Sequence, residues 1–267
     1  MKKLDLCEKT VVISGASSGI GKAIASCLIN RYGARVVGLA RGFERLQEVK
    51  AELGESFIPY PLDVTSRSGW SELFSYLVNN RIKVSALINC AGALPEFKSF
   101  DKTEIDELEN IVKLNFLSCA YAYKAIEPIL DDGAAVVNVS SASALCPFGG
   151  VSTYTSTKSA LNAFTAALAC ERSDISFSSV LPGFVKTDIM KNQQISGKEA
   201  RLVRSFSADA DKVARKIVNR VRRRKKRIVV GKDARLLSFL YRAFPKAAPR
   251  FITWFLKKSG LELFSKI

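Results

Sequence analysis

Two side chains in the middle of the sequence have the types and spacing needed to move a proton. Tyr154 and Lys158 are four residues apart, so on a helix both project from one face, about one turn apart. A tyrosine normally has a pKa of about 10, but a neighbouring ammonium favours the phenolate and lowers that pKa. We therefore predict that Tyr154 is a general acid when a carbonyl group is reduced, and a general base in the reverse reaction.

A serine accompanies this pair. Ser141 lies thirteen residues before Tyr154, and its hydroxyl is predicted to hold and polarise a substrate carbonyl as negative charge develops on the oxygen. Ser140 is less well placed by the spacing. The simpler alternative is a solvated Tyr-x-x-x-Lys pair on a surface helix. The chain has no histidine, which excludes Ser-His-Asp hydrolysis, Cys-His proteolysis and His-ligated metal sites, and no metal site is predicted.

A glycine-rich turn near the N-terminus predicts a nucleotide site. A β-branched run, Thr10–Ser14, leads into Gly15-Ala-Ser-Ser-Gly-Ile-Gly21 and then into a helical pattern. Glycines there let the backbone approach a pyrophosphate, and the helix N-terminus offers free N–H groups to the phosphates. A purely structural turn is the alternative, but the strand–turn–helix context favours a nucleotide. The residues predicted to bind it are Gly15, Ser17, Ser18, Gly19, Ile20 and Gly21.

Further motifs follow in a fixed order along the chain. They are Asp63-Val64, Asn89-Cys-Ala-Gly92, Asn115, Ser141, Tyr154-Thr-Ser-Thr-Lys158 and Pro182-Gly-Phe-Val-Lys-Thr187. Together with the GxxxGxG spacing of the glycine turn, they resemble the short-chain dehydrogenase/reductase family. The resemblance covers about residues 6–190 and the strand near 228–230. Cys90 departs from the family pattern, because it stands where the NNAG segment has its second Asn.

The resemblance implies a Rossmann-type fold and a role for each motif. Lys158 would also bind the hydroxyls of the nicotinamide ribose, and the positive ring of the oxidised cofactor would help to lower the pKa of the tyrosine. Asn115 would hold a water that links Lys158 to bulk solvent, and Asp63 would contact the adenine amine. The other cofactor-binding residues implied are Val64, Asn89, Ala91, Gly92, Pro182 and Gly183, with Val185 and Thr187 at the nicotinamide carboxamide.

The end of the second predicted strand indicates which nucleotide binds. The sequence there is Leu39-Ala-Arg-Gly42, with no carboxylate before Glu44. An acidic residue would bind the ribose hydroxyls of NAD and repel a 2′-phosphate, whereas Arg41 can pair with that phosphate by charge-assisted hydrogen bonds. We therefore predict NADP(H) rather than NAD. The alternative is that Arg41 is a solvated surface charge.

The elements that must position these residues alternate between strands and helices. This order predicts an α/β fold, a doubly wound seven-stranded parallel sheet with helices on both faces. The predicted strands are Thr10–Ser14, Arg35–Ala40, Phe57–Val64, Val84–Asn89, Ala134–Ser140, Ser176–Leu181 and Arg227–Val230. The predicted helices are Gly21–Tyr32, Glu44–Leu53, Gly69–Asn79, Glu104–Leu130, Tyr154–Glu171 and Asp209–Arg223.

The chain is predicted to form one catalytic domain, residues 1–232, with a basic, amphipathic helical extension, residues 233–267. The polar segment Asp188–Ser207 is predicted to be a lid over the pocket. Apolar residues of the segment 144–151, namely Ala144, Leu145, Cys146, Pro147, Phe148 and Val151, are expected to line one wall. Such a wall favours a hydrophobic ketone or alcohol, such as a steroid, a retinoid or a long-chain lipid, over a small acid or a sugar.

The positive charge of the chain is confined to its last quarter. Residues 1–200 hold 21 Lys and Arg against 21 Asp and Glu, whereas residues 201–267 hold 20 against 4, which accounts for the whole net charge of +16. Six consecutive cations, Arg222–Arg227, are followed by segments rich in Phe, Trp and Leu. This pattern favours peripheral contact with a membrane through residues 222–258. Packing at the substrate mouth or on a dimer partner is the alternative, and nucleic acid is the least favoured partner.

These features lead to one main hypothesis, an NADP(H)-dependent carbonyl reductase of the hydroxysteroid dehydrogenase type that acts in lipid metabolism. The alternatives are a 3-oxoacyl-carrier-protein reductase and a nucleotide-sensing regulator that uses its basic end to bind a partner. The family resemblance implies a homodimer or homotetramer paired through helices 104–130 and 154–171. Six scattered cysteines and a charged N-terminus predict reduced thiols in a cytoplasmic protein without a signal peptide.

Overall fold

The computed structural model describes residues 3–187 and 207–267. Its centre is a seven-stranded, fully parallel sheet in the order β3-β2-β1-β4-β5-β6-β7, which confirms the predicted fold class. The strands are β1 (Thr10–Ser14), β2 (Arg35–Ala40), β3 (Phe57–Pro61), β4 (Val84–Asn89), β5 (Leu130–Val139), β6 (Ser176–Pro182) and β7 (Arg227–Val230).

Helices cover both faces of this sheet. They are α1 (Gly19–Tyr32), α2 (Phe43–Leu53), α3 (Arg67–Asn79), α4 (Ile105–Val112), α5 (Ser118–Ile126), α6 (Ser152–Glu171), α7 (Ala210–Arg222), α8 (Lys232–Ala243) and α9 (Ala247–Lys258). None of the helices within the described residues is long and apolar enough to span a bilayer.

Two apolar cores hold the helices to the sheet. On one face α1, α2 and α7 bury side chains such as Ile24, Leu46 and Ile217. On the other face α3, α5 and α6 bury side chains such as Trp70 and Leu168. Because the strands are covered on both faces, they consist of almost continuous apolar residues. The packing fixes the carboxyl ends of β1 and β4 side by side, where the order of the strands reverses and ligands of such sheets bind.

One predicted helix differs in its form and in its end. Within the predicted span Glu104–Leu130, α4 and α5 are joined by a π-helical turn, Lys113–Leu117, and the run ends before β5 begins at Leu130. Pro128 lies in a short 3₁₀ segment, Glu127–Ile129, which connects α5 to β5. The third strand is also shorter than predicted, because it ends at Pro61 and its residues Pro59 and Pro61 cannot donate ladder hydrogen bonds.

Residues 233–267 do not stand apart from the sheet. Leu263 and Phe264 are buried, and they pack with Leu94, Phe97 and Tyr154. The Phe264 ring meets the Phe97 ring edge to face, with centroids 5.0 Å apart. The end of the chain therefore contributes a small third core beside the carboxyl ends of the strands.

Candidate active site

A cavity of about 940 Å³ opens where the carboxyl ends of the strands meet. It gathers nearly all the residues that the sequence predicted, although these come from seven separate segments. Those that line it are Gly15, Ser17, Ser18, Gly19, Ile20, Gly21, Arg41, Asp63, Val64, Ala91, Gly92, Ser141, Tyr154, Lys158, Pro182, Gly183, Val185 and Thr187.

The glycine turn between β1 and α1 needs glycine for steric reasons. Gly15 has a φ of +70°, and a Cβ there would lie 2.9 Å from the backbone nitrogen of Ala91. A Cβ on Gly21 would collide with the carbonyl oxygen of Gly15. Ser18 precedes α1 but its side chain makes no capping hydrogen bond, so the first N–H groups of the helix stay available to a phosphate on the cavity side.

Ser14 joins this turn to the loop after β4. Its hydroxyl accepts hydrogen bonds from the backbone N–H groups of Cys90 and Ala91, at 3.1 and 3.2 Å. The sequence analysis did not single out Ser14, although its position as the last residue of β1 is the available signal. The contact holds the two halves of the nucleotide cleft at a fixed separation.

Tyr154, Ser141 and Lys158 converge at the base of the cavity. Tyr154 and Lys158 lie on successive turns of α6 and are both buried. The Tyr154 phenol forms a hydrogen bond with the Ser141 side chain. The Lys158 Nζ donates to the carbonyl oxygen of Val139 at 2.9 Å and lies 5.9 Å from the centroid of the Tyr154 ring. Ser140 instead donates its hydroxyl to the carbonyl oxygen of Lys158 at 2.8 Å.

The predicted lowering of the tyrosine pKa by Lys158 is wrong for the protein's own side chains. Burial raises the pKa of the Tyr154 phenol above its ordinary value of 10.0, and the hydrogen bond with Ser141 offsets this only in part. Burial also lowers the pKa of the Lys158 ammonium. The physical reason is that burial disfavours the charged form of each group, and the ammonium donates to a backbone carbonyl instead of to the phenol.

Asn115 lies beside this group but its side chain does not line the cavity. It is buried in the π turn, where Oδ1 accepts from the Ala93 N–H and Nδ2 donates to the Ala93 carbonyl, both at 2.9 Å. A Cβ on Gly92 would lie 3.0 Å from Asn115 Oδ1 and 3.1 Å from Lys158 Nζ. Asn115 therefore holds the loop after β4 close to the lysine, and its predicted water stays a prediction.

Asn89 also lies behind the cavity wall. Its Nδ2 donates to Asn138 Oδ1 at 2.8 Å, and Asn138 in turn donates to Thr165 Oγ1 at 2.8 Å. This chain of hydrogen bonds links β4, β5 and α6. The side chain of Asn89 thus supports the elements that carry the cleft instead of facing it.

Two guanidinium groups line the cavity beside the end of β2. Arg41 follows β2, and Arg45 lies in the first turn of α2; both are exposed and line the cavity. Asp63 Oδ1 accepts from the backbone N–H and the hydroxyl of Thr65, at 2.9 and 2.8 Å, and the backbone hydrogen bond is the main cause of its lowered pKa. The sequence analysis missed Arg45; Arg41 precedes α2, so no helical spacing relates the two residues.

The opposite end of the cavity is apolar. Of the six residues expected to form its wall, only Phe148 and Val151 line it, because Leu145 and Cys146 are buried in the body of the protein. The predicted lid, Asp188–Ser207, lies outside the described residues except for Ser207. Large apolar residues outside the segment 144–151 also line the cavity, among them Leu94, Phe97, Leu114, Phe184 and Leu237.

Asp233 is a cavity residue that the sequence analysis did not identify. It comes from the first turn of α8, and its Oδ2 accepts from the backbone N–H of Phe184 at 2.7 Å. A Cβ on Gly183 or on Gly231 would collide with the Asp233 carboxylate. The two glycines therefore make room for one carboxylate, which fixes the loop after β6 against α8.

The arrangement can hold a phosphorylated ligand at the glycine turn and present a proton donor to an apolar compartment. No cluster of residues suited to a metal ion occurs within residues 3–187 and 207–267. The glycine turn, the uncapped N-terminus of α1 and the two arginines, Arg41 and Arg45, together fit a dinucleotide.

Comparisons with known proteins agree with this geometry. The sequence profile of the family described as short chain dehydrogenase matches residues 9–197. An Arabidopsis thaliana protein named 11-beta-hydroxysteroid dehydrogenase-like 2 is 34% identical over 218 residues, which cover 78% of this chain and 70% of the relative.

Solved structures share the fold. A short-chain dehydrogenase from Streptomyces avermitilis is 26% identical with a TM-score of 0.78, over 94% of this chain and 97% of its own. A short-chain dehydrogenase/reductase from Burkholderia phymatum in complex with NAD, 20% identical, superposes with a TM-score of 0.81 over 92% of this chain and 96% of its own. The chain belongs to the short-chain dehydrogenase/reductase family and is an oxidoreductase of that family.

Proposed function

We propose that this oxidoreductase reduces a ketone on a hydrophobic substrate to a secondary alcohol, reversibly, with NADP(H). The observation that carries the proposal is the contact between the Tyr154 phenol and the Ser141 hydroxyl at the cavity, with the buried Lys158 one turn below. A phenol and a hydroxyl at one point can both engage a single carbonyl oxygen. A nucleotide-sensing protein has no need for that pair.

Each side chain would have a separate task. A bound nicotinamide supplies or accepts the hydride. Ser141 polarises the carbonyl, and Tyr154 donates its proton to the oxygen as charge develops there. Burial raises the pKa of Tyr154, so the phenol keeps the proton that it would donate to the substrate oxygen. Lys158 would bind the hydroxyls of the nicotinamide ribose.

The choice of NADP(H) over NAD is supported by charge at the adenine end. Arg41 and Arg45 both line the cavity there, and Asp63 is engaged by Thr65. A 2′-phosphate would meet one or two guanidinium groups, whose planar donors suit phosphate oxygens.

The substrate class is supported by the apolar wall and by a relative. Phe148, Val151 and Phe184 line the compartment beyond the tyrosine, and the name of the Arabidopsis relative refers to a hydroxysteroid. A flat or elongated apolar ketone would bury much of its surface there. A steroid, a retinoid or a long-chain lipid, and with it a place in lipid metabolism, is therefore the proposed substrate class.

We also propose a homo-oligomer in the cytoplasm. Apart from Glu171 at its C-terminal end, the exposed residues of α6 are small and uncharged, among them Ser156, Ala160, Ala163 and Ala167. A helix of this kind permits close packing against its copy in a second subunit. Analytical ultracentrifugation measures the assembly directly.

The Tyr154→Phe variant tests the reaction. We expect turnover of apolar ketones, followed by NADPH absorbance, to fall by about a thousandfold because the proton donor is lost, while nucleotide binding is retained. In wild-type protein, alcohol oxidation should accelerate as pH rises, because it needs the phenolate. A matched Tyr121→Phe variant should keep its activity. Undiminished turnover in Tyr154→Phe would overturn the mechanism, and turnover confined to acyl-thioester ketones would favour the carrier-protein reductase.

The Arg41→Ala variant tests the nucleotide preference. We expect the Kd for NADPH to rise by about tenfold, because a charge-assisted contact with the 2′-phosphate is lost, and the Kd for NADH to stay nearly unchanged. Titration of protein fluorescence with each nucleotide measures both values. An equal rise in the Kd for both nucleotides would contradict a role of Arg41 in recognising the 2′-phosphate.

A further inference from the structure

Large exposed apolar side chains are concentrated on the last two described helices. Eleven such side chains occur in the described part of the chain, and six of them lie between residues 236 and 255, each more than half exposed. They are Leu236, Phe239, Phe244, Phe251, Trp254 and Phe255. A monomeric soluble protein rarely leaves so many large apolar groups together in water, and such a patch marks an interaction site.

The geometry of α9 shows that this exposure belongs to one face. Phe251, Trp254 and Phe255 follow an i, i+3, i+4 spacing, and the Phe251 ring lies 6.0 Å from the Trp254 ring and 6.5 Å from the Phe255 ring. On the other face Ala248 is buried, and Thr253 Oγ1 accepts from the Gly149 N–H at 2.9 Å. The helix is thus fixed to the body by its inner face and presents aromatic rings outwards.

The charge around this patch selects an anionic partner. Residues 232–258 contain seven Lys and Arg, all exposed, and one acidic residue. That residue is Asp233, whose carboxylate is engaged by the Phe184 N–H. A second copy docked face to face would oppose two strongly cationic surfaces, and a nucleic-acid duplex, whose bases are already stacked and paired, would leave the aromatic rings without an apolar partner.

We propose that the outer faces of α8 and α9 form a docking surface for an anionic lipid bilayer, in which both helices lie flat at the interface. Aromatic rings enter the headgroup–acyl boundary, and the cations contact anionic headgroups. Leu237 lines the cavity and the adjacent Leu236 is exposed, so the docked face borders the active site. An apolar substrate could then enter the cavity directly from the lipid. This part of the inference rests on the proposed function, whereas the docking itself does not.

Trp254 provides a direct readout of docking. The chain has two tryptophans; Trp70 is 2% exposed and bonded to the Val64 carbonyl, whereas Trp254 is 55% exposed. Full-length protein is mixed with vesicles of phosphatidylcholine, with and without phosphatidylserine. We expect co-sedimentation and a blue shift of the fluorescence with the anionic vesicles only, weakened by salt.

Variants separate the apolar and the ionic contributions. The double variant Phe251→Ser/Phe255→Ser should lose about tenfold or more in vesicle affinity, because two buried aromatic groups are removed. The matched variant Phe100→Ser/Ile105→Ser, at two exposed apolar residues elsewhere, should bind as the wild type does. Arg250→Glu/Lys257→Glu should bind anionic vesicles more weakly than the wild type, whereas Lys83→Glu should bind them as the wild type does.

The proposal would be overturned if the protein did not bind anionic vesicles in low salt. It would also be overturned if Phe100→Ser/Ile105→Ser lost as much vesicle affinity as Phe251→Ser/Phe255→Ser. A third contrary result would be self-association of the protein without vesicles that Phe251→Ser/Phe255→Ser abolishes. Turnover of a water-soluble ketone without vesicles is measured in parallel. If the protein turns over the ketone but does not bind vesicles, only the docking surface is wrong. If it binds vesicles but does not turn over the ketone, only the proposed reaction is wrong.

Discussion

The nucleotide cleft and the segment after β7 place residues at the same cavity by different means. In the cleft, local backbone geometry fixes the position of each group: Gly15 has a positive φ, and Tyr154 and Lys158 share one helix. In the later segment, Asp233 and Leu237 reach the cavity only because α8 docks on the loop after β6. Local geometry leaves a motif in the sequence, whereas docking leaves only an amphipathic pattern.

Of the next three substitutions, that of Ser141 has the largest expected effect, and it tests the cleft. Ser141→Ala should lower kcat by about a hundredfold to a thousandfold, because a donor to the developing oxyanion is lost. In Ser140→Ala the lost bond is the one to the Lys158 carbonyl, so we expect a loss of about 1 kcal/mol in unfolding free energy and much smaller kinetic damage. Steady-state kinetics and urea unfolding measure the two effects. Equal losses of kcat would mean that the two serines do not have separate roles.

Truncation of Phe264 tests whether the end of the chain is part of the fold. Phe264 is 6% exposed and packs on Phe97, so Phe264→Ala should lower the free energy of unfolding by about 3 kcal/mol. The control Phe255→Ala, at a 57% exposed side chain, should change it by less than about 0.5 kcal/mol. Thermal and urea unfolding measure both. A neutral Phe264→Ala would show that this segment is only loosely attached.

Substitution of Asp233 has the smallest expected effect, and it tests the contact between α8 and the loop after β6. Asp233→Ala leaves the Phe184 N–H without its carboxylate partner, and we expect the KM for the nucleotide to rise by about tenfold with little change in kcat. Asp233→Asn keeps an acceptor oxygen and should recover most of the loss. If instead kcat falls and the asparagine does not rescue it, Asp233 takes part in the chemistry and is not a positioning residue.

The sequence was sufficient for the sheet and for most of the cleft. The bounds of β1, β2, β4 and β7 agree with the predicted ones, because short β-branched runs end at turn residues. It was insufficient where side chains compete for partners. Asn115 bonds both backbone groups of Ala93 within a π turn that helical periodicity does not reveal.

The pKa of Tyr154 shows the same limit. The i, i+4 spacing correctly places Lys158 on the same helix face as Tyr154. It does not reveal that Lys158 Nζ donates to the Val139 carbonyl or that both side chains are buried. Asp233 could not be found from the sequence, because its neighbour Phe184 lies 49 positions away along the chain.

The shared space of Gly183, Gly231 and Asp233 links three positions in evolution. A side chain at Gly183 would occupy the volume of the Asp233 carboxylate, so a larger residue there becomes tolerable only after the acid at 233 has been shortened. Gly231 remains glycine in either case, because its φ of +118° strains any side chain. Among descendants of this sequence, a substitution at 183 should therefore accompany or follow one at 233. The loop after β6 and the helix after β7 are in this sense inherited as one unit.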